Sequence, residues 1–472
     1  TDRLVQRVLG RTIELARPAL GCRTLERLPA GGRPNPVESD PDDLAFVQFS
    51  SGTTVDPKPV ALTQAAIMAQ VDLLNAFWPD GDGRGHSGVS WLPLYHDMGL
   101  VGCVFTALER PAVLTLIPPE LFIARPAVWL RAISRYRATI SPAPNFAYSL
   151  CVSRIADDEL QGVDLSCWRF ALNGAECVVP SVARAFVRRF ARWGFRPEAM
   201  MPVYGLSEAA LAVTFSGGEQ PFGSRRFSRE ALADRGEARV TSEGQEIVSV
   251  GRPLDGFTLR IVDERGRELP ERRVGRVLVR GPSLMRGYLD QPEATAQVLK
   301  DGWLDTGDLG FVDAGELYLT SRAKETLILH GRNYSPQEVE EAVADVPGVR
   351  TGCAVAVSHL AEGAQGERLL LFVEAKRGVA GSQYETIGEE CRKRVVAATA
   401  LTAERVVVLE PGTLPRTSSG KLRRRETLRR HLADELVPPK PVTRLRLAGA
   451  VATSALAFAR SRWVPHGTDT ES

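Results

Sequence analysis

Ser50-Ser51-Gly52-Thr53-Thr54-Val55-Asp56-Pro57-Lys58-Pro59 follows an apolar run, Phe46–Phe49, and precedes a stretch of helical spacing, Ala65–Phe77. A strand, a turn of small hydroxyl residues and a helix make a phosphate cradle. Short side chains let backbone N–H groups and hydroxyls approach phosphate oxygens, and Lys58 supplies a cation. The spacing departs from G-x-x-x-x-G-K-[ST], so a Walker-type nucleotide loop is excluded. Taken alone, the stretch reads equally well as a Ser/Thr-rich turn.

Outward from this turn, strand-like runs at Val89–Leu92, Val113–Ile117, Thr139–Ser141 and Arg169–Leu172 alternate with helical stretches at Pro126–Arg135 and Pro180–Trp193. That alternation predicts a layered α/β domain with a largely parallel sheet. Residues 216–244 are polar and without clear period, and read as a surface excursion. The period then shifts towards two at Val248–Val250, Leu259–Val262 and Arg276–Val279. This predicts a small antiparallel, β-rich subdomain over 245–320. Another α/β unit follows, with strands at Leu327–Leu329, Gly352–Val357, Leu369–Ala375 and Arg405–Leu409, and helices at Pro336–Asp345 and Tyr384–Ala398. The expected division is a large domain over 1–321, a hinge at 322–324, a C-terminal domain over 325–437 and a tail over 438–472. The first 17 residues read as a helix ended by Pro18.

Charge and cysteine usage narrow the function classes. With 59 basic and 57 acidic residues the net charge is +2, which gives no reason to expect nucleic acid as a partner. Seven scattered cysteines without a C-x-x-C pair predict free thiols and a cytoplasmic protein. The apolar stretch Leu447–Ala459, flanked by arginines, is too short to span a bilayer and reads as a weak interfacial membrane contact or a helix packed on protein. The first methionine is Met68, so the chain reads as part of a longer polypeptide.

Further segments recur in a fixed order: Trp91-Leu92-Pro93-Leu94-Tyr95-His96-Asp97-Met98-Gly99; Asn173-Gly174-Ala175-Glu176; Tyr204-Gly205-Leu206-Ser207-Glu208; Gly302-Trp303-Leu304-Asp305-Thr306-Gly307-Asp308; Ser321-Arg322-Ala323-Lys324; and Pro415-Arg416-Thr417-Ser418-Ser419-Gly420-Lys421. From about Asp43 to about Arg430 this set resembles the adenylate-forming (AMP-binding) superfamily. The wording around Trp91–Leu100, Pro144–Tyr148 and His330–Glu340 is most similar to fatty acyl-AMP ligases and long-chain acyl-CoA synthetases.

The resemblance implies an α/β adenylate-forming fold with a mobile C-terminal lid, and with the N-terminal part of the large domain missing. It implies activation of a fatty acid by ATP and Mg²⁺, then transfer to a phosphopantetheine thiol of an acyl carrier protein. Free CoA as acceptor, a β-lactone-forming ligase and a non-catalytic nucleotide-binding relative are the rivals. Under the resemblance, Ser51, Gly52, Thr53, Thr54 and Lys58 hold the β- and γ-phosphates, and Glu208 holds Mg²⁺. Tyr204 stacks on adenine, with Asn173, Gly174, Ala175, Glu176, Gly205 and Ser207 around the nucleotide. Asp308 takes the ribose hydroxyls and Arg322 the ribose or α-phosphate edge. His96 lies at the acyl–phosphate junction, Lys421 neutralises charge during transfer, and Lys324 is the hinge.

Three features depart from the family pattern. Val55 and Pro59 stand where glycine is usual, which predicts a stiffer phosphate loop. The stretch from Thr295 to Gly302 lacks the insertion usual in fatty acyl-AMP ligases, as in CoA synthetases. The chain before Ser50 is also short for the family. The basic run Lys421–Arg425 with Arg429 and Arg430 reads as a docking surface for an acidic carrier protein.

Overall fold

Every residue of the strand Phe170–Gly174 is buried, as in a parallel strand covered on both faces. The computed structural model describes residues 38–50, 57–78, 85–218, 220–329, 332–360, 367–417 and 420–438. All of these but Glu38 belong to one compact unit, Ser39–Pro438. The expected helix over the first 17 residues, the cradle residues Ser51, Gly52, Thr53 and Thr54, and the stretch 447–459 lie outside the described residues.

Phe170–Gly174 is the central strand of a seven-stranded sheet. The order is Arg252–Pro253, Ala212–Phe215, Met200–Gly205, Phe170–Gly174, Ile140–Pro144, Ser87–Ser90, Val113–Leu116. The five strands from Val113–Leu116 to Met200–Gly205 run parallel, Ala212–Phe215 pairs antiparallel with the last of them, and Arg252–Pro253 pairs antiparallel with Ala212–Phe215. Helices Ala127–Tyr136, Asn145–Arg154 and Pro180–Phe190 supply the aromatic core on one side, where Trp129, Tyr148, Trp168, Phe186 and Phe195 are almost wholly buried. Trp129 and Trp168 meet edge to face at 5.1 Å, and the Trp129 indole N–H donates to Ser141 Oγ at 2.8 Å. A buried indole N–H usually finds such a polar partner. The helix Gln64–Phe77 packs Ile67, Val71 and Leu74 into a second core, and Thr63 caps it by accepting from Ala66 N at 3.1 Å.

Two smaller sheets frame the candidate site. Leu44–Phe49, Pro59–Thr63 and Gly287–Tyr288 form one, with Tyr288 beside Val60. Pro59 is the first residue of its strand, where a missing N–H is tolerated, and its carbonyl accepts from Leu289 N at 2.8 Å. The other is the expected β-rich part, with Thr258–Val262, Gly275–Arg280, Leu299–Lys300, Trp303–Asp313 and Glu316–Arg322 in one five-stranded sheet.

The reading of residues 216–244 as a surface excursion without a clear period needs correction. The strand Ser224–Phe227 pairs with Gln245–Val248, and the helix Arg229–Arg235 sits between them in the chain. Phe227, Ala238 and Ile247 are buried against Phe311 and Tyr318. Apolar residues that far apart leave no local period, so only the tertiary partner defines the strand.

The C-terminal sheet pairs Val349–His359 antiparallel with Arg368–Ala375, which runs parallel to Ala403–Leu409. Helices Pro336–Ala342 and Tyr384–Thr399 pack Val339, Ile387, Cys391 and Val395 onto it. Among the described residues no helix is long and apolar enough to cross a membrane. Trp129→Ala removes the indole from the centre of the aromatic core and is expected to cost about 3–5 kcal/mol of unfolding free energy. A urea titration followed by far-UV circular dichroism measures it.

Candidate active site

The parallel strands end on one edge of the sheet, the place where open α/β sheets hold ligands. After Ser90 come His96 and Asp97. After Pro144 come Asn145 and Phe146, after Gly174 come Ala175 and Glu176, and after Gly205 come Ser207 and Glu208. Asp308, Arg322 and Lys421 close a cleft of about 430 Å³ over these ends. Two glycines make the loops possible. A Cβ at Gly99 would lie 2.4 Å from Pro93 O, and one at Gly205 would lie 1.8 Å from Leu211 O. Only glycine lets the His96–Asp97 turn and the Tyr204–Glu208 turn fold back so closely.

Three clusters meet in the cleft. In the first, Tyr204 donates its hydroxyl to Asp308 Oδ2 at 2.7 Å, and Arg322 Nε lies 3.1 Å from Asp308 Oδ1. Burial pushes the Tyr204 phenol well above its usual range, and the Asp308 carboxylate beside it adds to that. Asp308 raises the Arg322 guanidinium further. In the second, Tyr288 donates to Glu208 Oε1 at 2.9 Å while Lys58 Nζ sits 4.3 Å above the Tyr288 ring, a cation–π contact. The base of the phosphate turn is pinned there, since Ser50 N donates to Lys58 O at 2.9 Å and Lys58 N to Ser50 Oγ at 3.2 Å.

The third cluster centres on Asp97, a buried carboxylate. His96 Nδ1 lies 2.6 Å from Asp97 Oδ1, Met98 N donates to the same oxygen at 2.7 Å, and the Ser207 hydroxyl donates to Oδ2. Burial alone would raise this carboxyl, but His96, Ser207 and the Lys421 ammonium outweigh it and hold it at about 2. Lys421 is itself pushed below the usual lysine range by burial, with Asp97, Glu176 and Asp308 acting against that and Arg322 with it. Glu176 accepts from Phe146 N at 2.6 Å. Burial raises its carboxyl, with Lys421, Arg416 and Arg424 opposing.

Lys421 is carried on a tight turn in which Thr417 N donates to Lys421 O at 2.8 Å and Lys421 N to Thr417 Oγ1 at 3.1 Å. Arg416 holds the turn to the C-terminal sheet, donating to Gly420 O at 2.7 Å and Gly352 O at 3.2 Å. Arg424 donates bidentately to Glu340 at 2.7 Å and 2.7 Å, and to Glu325 Oε2 at 2.7 Å.

These contacts revise the docking surface expected at the basic run. Arg424 is a buried structural cation, and Arg429 and Arg430 both pair with Glu426. Three cations of that run, Arg424, Arg429 and Arg430, are thus engaged in ion pairs within the chain.

Of the expected site residues, Lys58, His96, Ala175, Glu176, Tyr204, Gly205, Ser207, Glu208, Asp308, Arg322 and Lys421 come together at the cleft. Asn173 is fully buried, its amide N–H donating to Asn145 Oδ1 at 3.3 Å. A side chain at Gly174 would meet Val203 Cγ2 at 2.6 Å, so this glycine admits the neighbouring strand. Lys324 is exposed in the turn after the strand Glu316–Arg322. Asp97, Tyr288, Arg416 and Arg424 were not singled out from the sequence. Asp97 lay within a quoted motif beside His96. Tyr288 is 80 residues from its partner Glu208, so no local pattern announces it.

The AMP-binding enzyme family matches residues 8–289 of the chain. This chain belongs to that family. It is 34% identical over 423 residues, 85% of this chain and 67% of the other, to the 4-hydroxyphenylalkanoate adenylyltransferase of Mycobacterium bovis. It is 34% identical to the medium-chain-fatty-acid–[acyl-carrier-protein] ligase JamA of Moorena producens, over 81% of this chain and 67% of the other. A Mycobacterium tuberculosis protein named as a fatty-acid–CoA ligase is 33% identical over 87% of this chain and 73% of its own. Among solved structures, a fatty acyl-adenylate ligase from a study of the E. coli and L. pneumophila enzymes superposes with a TM-score of 0.77 at 34% identity, over 84% of this chain and 70% of that one. The fold is therefore the adenylate-forming fold and the chain is an AMP-binding enzyme.

Replacing Arg424 by Met leaves the buried Glu325 and Glu340 without a cation. Breaking such a triad costs about 3–5 kcal/mol. A fall of that size in a denaturant titration of Arg424→Met is the expected result.

Proposed function

We propose that this enzyme activates a fatty acid with ATP as an acyl-adenylate, releases pyrophosphate, and passes the acyl group to a phosphopantetheine thiol, best of an acyl carrier protein. The observation that carries the reading is that Lys421 lines the cleft together with Asp97, Glu176 and Asp308. In the first step a carboxylate oxygen attacks the α-phosphorus and the bond to the β-phosphate oxygen breaks. Both reactants are anions, so catalysis is chiefly positioning and charge neutralisation.

Lys421 is placed to bridge the carboxylate and the α-phosphate. Asp308, oriented by Tyr204 and Arg322, takes the ribose hydroxyls. Lys58 stands at the base of the turn that cradles the terminal phosphates, and His96 faces the acyl side. Glu208 fits Mg²⁺, because a carboxylate oxygen suits a hard cation and Tyr288 fixes its orientation. The bound ion would neutralise the phosphates.

For the second step, the turn around Lys324 is the proposed hinge. Rotation there would withdraw Lys421 and admit the thiol. The carrier-protein acceptor is supported by the fatty-acid ligase relative from Moorena producens. Free CoA is the second reading, favoured by one feature. The helix Pro292–Val298 passes directly into the hairpin Leu299–Lys300 and Trp303, with no inserted segment.

Trapping with hydroxylamine tests the first step. Fatty hydroxamate should accumulate only with ATP and a divalent ion, and should be replaced by acyl-carrier thioester when a holo-carrier is added. Hydroxamate formation that a holo-carrier leaves untouched, but CoA intercepts, would assign the second reading.

A further inference from the structure

The roles given to His96, Ser207 and Lys421 leave one buried charge unused. Asp97 is 4% exposed, yet it carries three separate connections to the cleft. Its Oδ1 meets His96 Nδ1 at 2.6 Å, and its Oδ2 accepts the hydroxyl of Ser207, the residue before Glu208. Its charge also faces the Lys421 ammonium brought in by the C-terminal part. We propose that Asp97 is a positioning residue for adenylation, holding His96, Ser207 and the charged Lys421 in one register about the reacting phosphate. This rests on the function proposed above and names a residue that acts within it.

Three physical arguments support the assignment. A buried carboxylate without partners is costly, and Asp97 is satisfied by its neighbours His96 and Met98 and by Ser207, 110 residues away, with the Lys421 charge acting on it as well. Its connection to His96 through Nδ1 leaves Nε2 as the ring nitrogen that can turn to substrate. Its negative charge favours the ammonium form of a lysine whose charge burial disfavours. Glu176 and Asp308 act on Lys421 in the same sense as Asp97, while Arg322 acts against them. Removing the Asp97 charge therefore weakens a balance and does not abolish it.

The sign of the effect follows. Lys421 must be protonated to neutralise the transferring phosphate, so adenylation falls as pH rises through the Lys421 pKa. Asp97→Asn lowers that pKa. The alkaline limb of the hydroxamate-trapping rate should move to lower pH by about one unit, the low end of what an adjacent opposite charge supplies. The rate constant at saturating ATP should fall by about tenfold or more, with a smaller change in the KM for ATP. Asp97→Glu, which keeps the charge, should restore the limb.

An Asp97→Asn enzyme that loses amplitude but keeps the wild-type limb would show a purely structural role and overturn the proposal. A melting scan checks that the variant folds. If it does not, Lys421→Arg carries the test, because a guanidinium stays charged and the alkaline limb should vanish. A limb that persists in Lys421→Arg overturns the proposal as well. A wild-type enzyme that forms no hydroxamate with any fatty acid would instead remove the proposed function, and this inference with it.

Discussion

One half-buried ammonium organises this molecule. Lys421 lies at the meeting of the strand ends and the C-terminal part, where burial disfavours its charge and three carboxylates favour it. Such a group is stable only while its partners stay in place. The surrounding architecture can be understood as the means of keeping them there. Gly99 lets the His96–Asp97 turn fold over Pro93, Gly205 lets the Ser207–Glu208 turn fold over Leu211, and the Phe146 N–H orients Glu176.

The lysine is held from the other side by a separate device. Arg416 fixes the turn that carries it, and Arg424 joins the helix Arg424–Leu432 to Glu340 and to Glu325, one residue after Lys324. The segment proposed to rotate and the segment that carries the lysine are therefore tied through one guanidinium. Among the described residues, polar contacts also join this part to the rest of the chain. Arg229 pairs with Glu338, Arg332 with Asp234 at 2.8 Å, and Ser181 donates to Glu341 at 2.9 Å. The Arg332–Asp234 pair is the more exposed of the two ion pairs, and such a pair contributes little.

Much of this was legible in the sequence. The strand–helix alternation from Val89 to Trp193 predicted the parallel sheet, because each run is apolar and each helix amphipathic. The ordered motifs also marked the turns at the strand ends, since Gly99 and Gly205 are demanded by local close approach. What stayed hidden depends on long-range contacts. Ser224–Phe227 becomes a strand only through Gln245–Val248 and the rings of Phe311 and Tyr318. Arg424 reads as part of a solvated basic run until Glu325 and Glu340 are found beside it. Asn173 and Gly174 read as nucleotide contacts by motif, yet one is fully buried and the other admits a neighbouring strand.

If Lys421 in the cleft serves the first chemical step, fatty-acid-dependent exchange of labelled pyrophosphate into ATP must depend on it. The exchange should be present in the wild-type enzyme and fall by about a hundredfold or more in Lys421→Ala, the scale expected when one charge-stabilising group is removed, with far-UV circular dichroism unchanged. A folded Lys421→Ala enzyme that exchanges pyrophosphate at the wild-type rate would contradict the account.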